Sequence, residues 1–131
     1  MPSSTIEVRR EYSDADALAL IDAVHASLVA AFRIPAADKH VRLVVHEPER
    51  FAVSPDLAYP ELYTQVTIDC FEGRSLDAKR KLYAQIAQRL GVLGIPGDHL
   101  LILLRESPAQ NWGIRGGQAA SDIDLGFDVN V

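Results

Sequence analysis

"TQVTIDCFEGRSLDAKRKLYAQIAQRLGVLGIPGDHLLILLRESP", residues 64–108, has the pattern of a strand, a helix and a second strand. Apolar residues alternate with polar ones from Val66 to Cys70, as in a half-buried strand. They then recur at helical spacing from Leu82 to Leu93, and a second apolar run precedes the final proline. A helix between two such strands predicts a βαβ unit with parallel strands.

The first third of the chain repeats this order. Residues 5–8 alternate like a strand, and Ser13 followed by Asp16 has the S-x-x-D form of a helix start. Apolar residues follow at helical spacing as far as Phe32, and the alternating "VRLVVHEP" from Val41 predicts another strand.

Four landmarks align the two units at offsets between 60 and 62 residues: Ser13 with Ser75, Ile34-Pro35 with Ile95-Pro96, Asp38 with Asp98, and Pro48 with Pro108. Agreement at several positions indicates an internal duplication. We therefore predict an α+β fold of two tandem βαβ repeats, which form a four-stranded mixed sheet with both helices on one face.

The chain has 131 residues, the size of one domain. We assign residues 2–48 to repeat 1, residues 49–61 to a linker, residues 62–108 to repeat 2 and residues 109–131 to a tail. Two helices on one face would leave the other sheet face uncovered, which predicts a homo-oligomer, and we expect the tail to extend onto a neighbouring subunit.

Composition excludes several classes of function. A net charge of -5 does not favour nucleic acid or anionic membranes, and no apolar run approaches the roughly 20 residues of a membrane span. One cysteine, Cys70, permits neither a disulfide within the chain nor a cysteine zinc site, and the four histidines form no metal motif. We expect a cytoplasmic protein without a metal or cofactor.

Arg74 stands where the second predicted helix begins. A helix N-terminus favours anions, so the arginine gains nothing from the helix itself. Arg74 is therefore either a solvated surface residue or part of a site for an anionic ligand.

The Met-Pro start, "EGRS" at residues 72–75 and "NWGIRGGQAAS" at residues 111–121 resemble the tautomerase superfamily over nearly the whole chain. The second half resembles 4-oxalocrotonate tautomerase, and the double-length form resembles the malonate semialdehyde decarboxylase branch. The resemblance implies a homotrimer whose catalyst is the secondary amine of Pro2, free once Met1 is removed. If Met1 is retained, the Pro2 nitrogen is an amide and cannot act as a base.

The same resemblance implies the rest of the site. Arg74 would bind the substrate carboxylate, and Arg42 would bind and polarise the substrate. Asp38 would orient the amine or a water, although a turn aspartate is the alternative because Asp98 recurs in the other repeat. Trp112 would form an aromatic wall of the pocket or an interface anchor.

Two departures from the decarboxylase pattern stand out. Decarboxylases carry two arginines separated by one residue, where this chain has Arg74-Ser75-Leu76, and Ile114 replaces a second aromatic wall residue. Arg115 is the candidate for a second cation.

We therefore expect a tautomerase that acts on a small 2-oxo or enol carboxylate, with Pro2 as general acid and base near a subunit boundary. One alternative is decarboxylation or hydration of a 3-oxo acid, with protonated Pro2 polarising the carbonyl. The other is a trimeric binding module without turnover.

Overall fold

A computed structural model describes residues 1–131. The main elements are β1 (Ser3–Val8), α1 (Asp14–Phe32), β2 (Val41–Val45), β3 (Thr64–Phe71), α2 (Leu76–Val92) and β4 (Leu100–Ser107). The tail adds a short hairpin of β5 (Gly113–Ile114) and β6 (Gln118–Ala119). This order confirms the prediction of two tandem βαβ repeats.

The four long strands form one mixed sheet in the order β2-β1-β3-β4. Each repeat contributes a parallel pair, and the antiparallel pairing of β1 with β3 joins the repeats. Ser3 pairs with Asp69, and Val8 pairs with Thr64. The start of the chain therefore lies beside the end of β3, just before α2 begins.

Both helices begin at the serines that the duplication aligned. The Ser13 hydroxyl accepts a hydrogen bond from the Asp16 N–H at 3.1 Å, and the Ser75 hydroxyl accepts one from the Ala78 N–H, also at 3.1 Å. Each bond satisfies one of the free N–H groups of a first helical turn. The predicted helix starts are confirmed.

The core lies between the sheet and the two helices. Its fully buried side chains alternate along β1 and β3 and form the inner stripes of α1 and α2, with Ile6, Val66, Ile68, Val24, Leu28, Leu82 and Ile86 at its centre. Burying a side chain of this size stabilises the fold by roughly 1.5–3 kcal/mol. Both helices therefore cover the same sheet face, as predicted.

The opposite sheet face is uncovered in the single chain. Leu101 and Leu103 on β4 are 46% and 45% exposed, and Val44 on β2 lies on the same face. Two parallel hydrogen bonds of 2.9 Å join Arg105 to Asp69 nearby. This face is apolar along one edge and polar in its middle.

The last residues of the tail contact their own chain. The Val131 carbonyl oxygen accepts a hydrogen bond from the Ser75 N–H at 3.2 Å. Residues 120–122 form a 3₁₀ turn before this segment. The end of the chain thus satisfies an N–H group at the start of α2, where such groups lack helical partners.

α1 also corrects the expectation about membrane-spanning length. With 19 residues it is long and apolar enough to cross a membrane by length and composition. In this structure Leu20, Val24, Leu28 and Phe32 of α1 are buried in the core. The apolar residues of α1 are therefore explained by its packing in the core.

Candidate active site

A cavity of about 410 Å³ opens beside the start of the chain. It is lined by Met1, Pro2, Ser3, His40, Val41, Arg42, Trp112 and Ile114. Most of these residues come from repeat 1, and two come from the tail that follows repeat 2. Four of the seven predicted site residues, Pro2, Arg42, Trp112 and Ile114, therefore share one cavity.

Strand pairing positions the first wall of the cavity. The Ser4 N–H donates to the His40 carbonyl at 2.9 Å, which ties the start of β1 to the residue before β2. Arg42 follows on β2, and its Nη1 lies 3.3 Å from Ser3 Oγ as a hydrogen-bond donor. The guanidinium thus lies beside the first residues of the chain.

Trp112 forms another part of the cavity wall. Its Nε1–H donates to Ser107 Oγ at 2.9 Å, and its ring meets the Phe71 ring edge-on, with 4.9 Å between the centroids. These contacts anchor the indole at the ends of β3 and β4. An aromatic and an aliphatic side chain, Trp112 and Ile114, therefore line the same cavity as the cation of Arg42.

Asp38 contacts the N-terminal amine. Its Oδ2 lies 3.1 Å from the Met1 nitrogen, and its Oδ1 lies 3.3 Å from His40 Nε2. The carboxylate is 13% exposed. The loop after α1 supports it, because the Asp38 N–H donates to the Pro35 carbonyl at 2.9 Å.

The surroundings of the Met1 amine shift its pKa. Burial lowers the pKa of the Met1 α-amino group below its ordinary value of 8.0, because the charged form loses hydration. The contact with Asp38 opposes this shift, and the positive charge of Arg74 adds to it. The pKa of an amine at this position is therefore lower than that of an amine at a solvated chain terminus.

Arg74 is buried close by, although it does not line the cavity. Its Nη1 donates to the Phe71 carbonyl at 3.2 Å, and its guanidinium carbon lies 4.8 Å from the centre of the Phe32 ring. Nε and Nη2 are buried without a hydrogen-bond partner. Unpaired buried donors are costly, which distinguishes Arg74 from a solvated surface arginine.

Arg115 is not brought to the cavity. It is exposed in the turn between β5 and β6 with a φ of 48°, and its Nη1 lies 3.5 Å from the Asp124 carbonyl. The predicted second cation therefore contacts the tail in this structure.

His40 is the cavity residue that sequence reasoning set aside. In the sequence it is only one of four histidines that form no metal motif, yet its imidazole contacts Asp38 and lines the same cavity as Pro2. The sequence feature that could have indicated His40 is its position two residues after Asp38 and directly before β2.

Metal-binding side chains do not cluster. No three His, Cys, Asp or Glu residues come together in a way that could hold a metal ion. Cys70 is buried in the core, and burial raises the pKa of its thiol to about 11. The chemistry available at the cavity is that of an amine, a carboxylate, an imidazole and a guanidinium.

Sequence comparison gives two matches to tautomerases. A family described as "Tautomerase enzyme" matches residues 38–115. The probable tautomerase RSp0893 of Ralstonia nicotianae is 36% identical over 53 residues, which are 40% of this chain and 73% of that protein.

Structural comparison extends the likeness to about nine tenths of the chain. A malonate semialdehyde decarboxylase, FG41, inhibited by 3-bromopropiolate is 28% identical, with a TM-score of 0.74 over 89% of this chain and 92% of the other. An asymmetric trimer of a fused 4-OT shares the fold at 19% identity, with a TM-score of 0.80 over 92% and 97% of the two chains.

Proposed function

The chain belongs to the tautomerase family, and from this premise we propose that it is an isomerase in which Pro2 moves a proton on a small 2-oxo or enol carboxylate. One observation carries the proposal. Pro2 shares a cavity with the cation of Arg42, while the carboxylate of Asp38 contacts the amine at the start of the chain.

The proposal requires removal of Met1. A proline that follows Met1 has an amide nitrogen, whereas a proline at the start of the chain has a basic secondary amine. The burial that lowers the pKa of the Met1 amine would act on the Pro2 amine in the same direction. A pKa nearer neutrality suits a group that must both accept and donate a proton.

The two arginines divide the binding of the substrate. Arg42 lines the cavity and is proposed to polarise the carbonyl oxygen, where negative charge develops as the enolate forms. Arg74 is buried outside the cavity but close to the Met1 amine, and it is proposed to bind the carboxylate once Met1 is removed, which would satisfy its buried Nε and Nη2 donors. Trp112 and Ile114 would exclude water from the carbon chain of the substrate.

In the proposed reaction Pro2 accepts one proton from the substrate and returns one proton to it. The neutral amine accepts the proton of the enol hydroxyl as the carbonyl forms. The resulting ammonium donates a proton to the neighbouring carbon, which restores the amine and yields the keto acid. Asp38 is proposed to stabilise the ammonium between these two steps, because its carboxylate contacts the amine of Met1, the residue that adjoins Pro2.

Decarboxylation of a 3-oxo acid is the second candidate. The contact between Asp38 and the amine favours the ammonium form, which would polarise the carbonyl of such an acid. The bond to the carboxyl carbon then breaks, its electron pair forms an enolate, and carbon dioxide leaves. The ammonium of Pro2 then protonates the enolate carbon and is itself reprotonated by water. The 28% identity with a malonate semialdehyde decarboxylase supports this candidate.

A homotrimer is proposed as the working assembly. The exposed Leu101 and Leu103 on the uncovered sheet face would be shielded by neighbouring subunits. The fused 4-OT that shares this fold forms trimers.

The test begins with the intact mass of native, untagged protein, which should correspond to a chain that starts at Pro2. Turnover of phenylenolpyruvate and 2-hydroxymuconate is then compared with turnover of malonate semialdehyde. Activity on the first two supports the tautomerase, whereas release of carbon dioxide from the third without activity on the others supports the decarboxylase. Retained Met1 with no turnover would identify a binding module.

A further inference from the structure

A second cavity, of about 510 Å³, lies at the other end of the antiparallel β1–β3 pair. Its walls come from the linker after β2 and from the start of β3, with Phe51, Val53, Leu57, Tyr63, Gln65 and Asp98 among its lining residues. None of these residues belongs to the candidate active site.

The duplication relates the two cavities position by position. In each repeat the second strand is followed by a 3₁₀ turn, then by an aromatic residue and an aliphatic residue two positions later. These residues are Phe51 and Val53 after β2, and Trp112 and Ile114 after β4. Each pair lines the cavity at the start of the other repeat.

The groups proposed for proton transfer are missing from the second cavity. Leu62 occupies the place of Pro2, because Thr64 pairs with Leu100 as Ser4 pairs with Val41. Leu101 occupies the place of Arg42. No lysine or arginine lines this cavity, so a carboxylate ligand would find no cation there.

Asp98 is the one ionisable acid of the second cavity, as Asp38 is beside the first. His99 Nε2 accepts a hydrogen bond from the Tyr59 N–H at 3.0 Å, so the proton lies on Nδ1, which donates to Asp98 Oδ1 at 2.7 Å. The His99 side chain is buried, and this bond orients the carboxylate. The other oxygen of Asp98 remains available to a ligand.

The remaining lining residues suit a ligand that combines a flat apolar part with a hydrogen-bond donor. Phe51 and Tyr63 meet edge-to-face, with 5.6 Å between the centroids and 80° between the rings. Gln65 Nε2 donates to Thr67 Oγ1 at 3.5 Å, which leaves the amide oxygen of Gln65 as an acceptor. Two acceptors, Gln65 and Asp98, therefore accompany an aromatic surface.

We propose that this cavity is a binding site for a small primary amine with an aromatic or aliphatic body. The ammonium contacts Asp98 and Gln65, and the apolar body packs between Phe51, Val53 and Tyr63. The site lacks the groups proposed to bind carboxylates in the first cavity, and it binds without turnover. It is independent of the function proposed for the first cavity.

Binding of benzylamine to the full-length protein at neutral pH tests this proposal, with benzyl alcohol and benzoate as comparison probes. Backbone amide shifts in nuclear magnetic resonance spectra locate the bound probe. We expect benzylamine to shift residues 51–65 and to bind more tightly than either comparison probe. Equal binding of benzyl alcohol or benzoate would overturn the amine assignment, and shifts confined to the first cavity would overturn the location.

Variants make the test specific. Asp98→Asn keeps an oxygen for His99 but removes the charge, so we expect benzylamine affinity to fall about two- to fivefold, as for a solvent-exposed ion pair, since the Asp98 side chain is 80% exposed. Val53→Trp fills the cavity and should abolish binding, whereas Ile114→Trp fills the first cavity and should leave binding unchanged. Unchanged affinity in both Asp98→Asn and Val53→Trp would refute the site.

Discussion

The Oδ2 atom of Asp38 lies 3.1 Å from the N-terminal nitrogen of Met1, which lines the same cavity as Arg42. The same carboxylate contacts His40, so a loop residue between α1 and β2 connects the start of the chain to the cavity wall. In the proposed reaction this arrangement stabilises the ammonium form of Pro2 after Met1 is removed.

The titration of the N-terminal amine provides the first prediction. In protein that retains Met1, the pKa of this amine should lie below 8.0 because burial disfavours its charged form. Asp38→Asn should lower that pKa further, and Arg74→Met should raise it, since the two charges act in opposite directions. Nuclear magnetic resonance of ¹⁵N-labelled Met1 across pH measures all three values. Equal pKa values in the three proteins would contradict the ion pair.

This shift also predicts how stability depends on pH. The unfolded chain binds a proton to the amine at a higher pH than the folded chain does, so the free energy of unfolding should rise with pH in the window just below 8.0. Denaturant unfolding across that window measures the change, and acetylation of the amine should remove this contribution.

Replacement of Arg42 or Arg74 should weaken catalysis with the proposed substrates. Arg42→Gln and Arg74→Gln are each expected to lower kcat/KM by about 10- to 150-fold, the range for losing a hydrogen bond from a charged group. Arg80→Gln is the control, because Arg80 is exposed on α2 and pairs only with Asp77. Steady-state kinetics distinguish these outcomes, and equal losses in all three variants would point to a general effect on folding.

Gly73 should be intolerant of a side chain. It has a φ of +131°, and a Cβ there would lie 3.0 Å from Asn130 Oδ1. Gly73→Ala should therefore lower the free energy of unfolding by about 1–3 kcal/mol. Gly91→Ala is the matched control, because it lies within α2 with nothing within 4 Å, and it should raise stability by about 0.4–1 kcal/mol. Denaturant unfolding measures both, and a neutral Gly73→Ala would contradict the packing of the tail.

The proposed trimer predicts a defined mass and a way to disrupt it. Light scattering after size-exclusion chromatography should give three times the 14.4 kDa chain mass. Leu103→Glu should shift the protein towards monomer, because a charge would be buried against neighbouring subunits. Val92→Glu is the control, since Val92 is 83% exposed at the end of α2. A monomeric mass for the native protein would refute the assembly.

Sequence periodicity was sufficient to predict the strands and helices of each repeat, because the duplication repeated each signal. Ser13 and Ser75 cap their helices as predicted, and Cys70 is buried on the inner face of β3. The pairing of β1 with β3, which brings the start of the chain beside Phe71, depends on long-range contacts that no local pattern encodes.

The site was less predictable, because it depends on the paths of loops and of the tail. The segment after β4 brings Trp112 into the cavity but turns Arg115 away from it. The burial of Arg74 requires packing against Phe32 at the other end of the first helix. His40 was missed because its significance comes from Asp38, and that contact forms only once the loop before β2 is in place.

The most direct test of the central claim is the rate of phenylenolpyruvate ketonisation by Pro2→Ala, compared with native protein whose intact mass shows a chain beginning at Pro2. Loss of a positioned general acid and base should lower the rate by about 10²- to 10⁴-fold while the fold and oligomeric mass stay unchanged. An unchanged rate in Pro2→Ala, or full activity in protein that retains Met1, would contradict the proline mechanism.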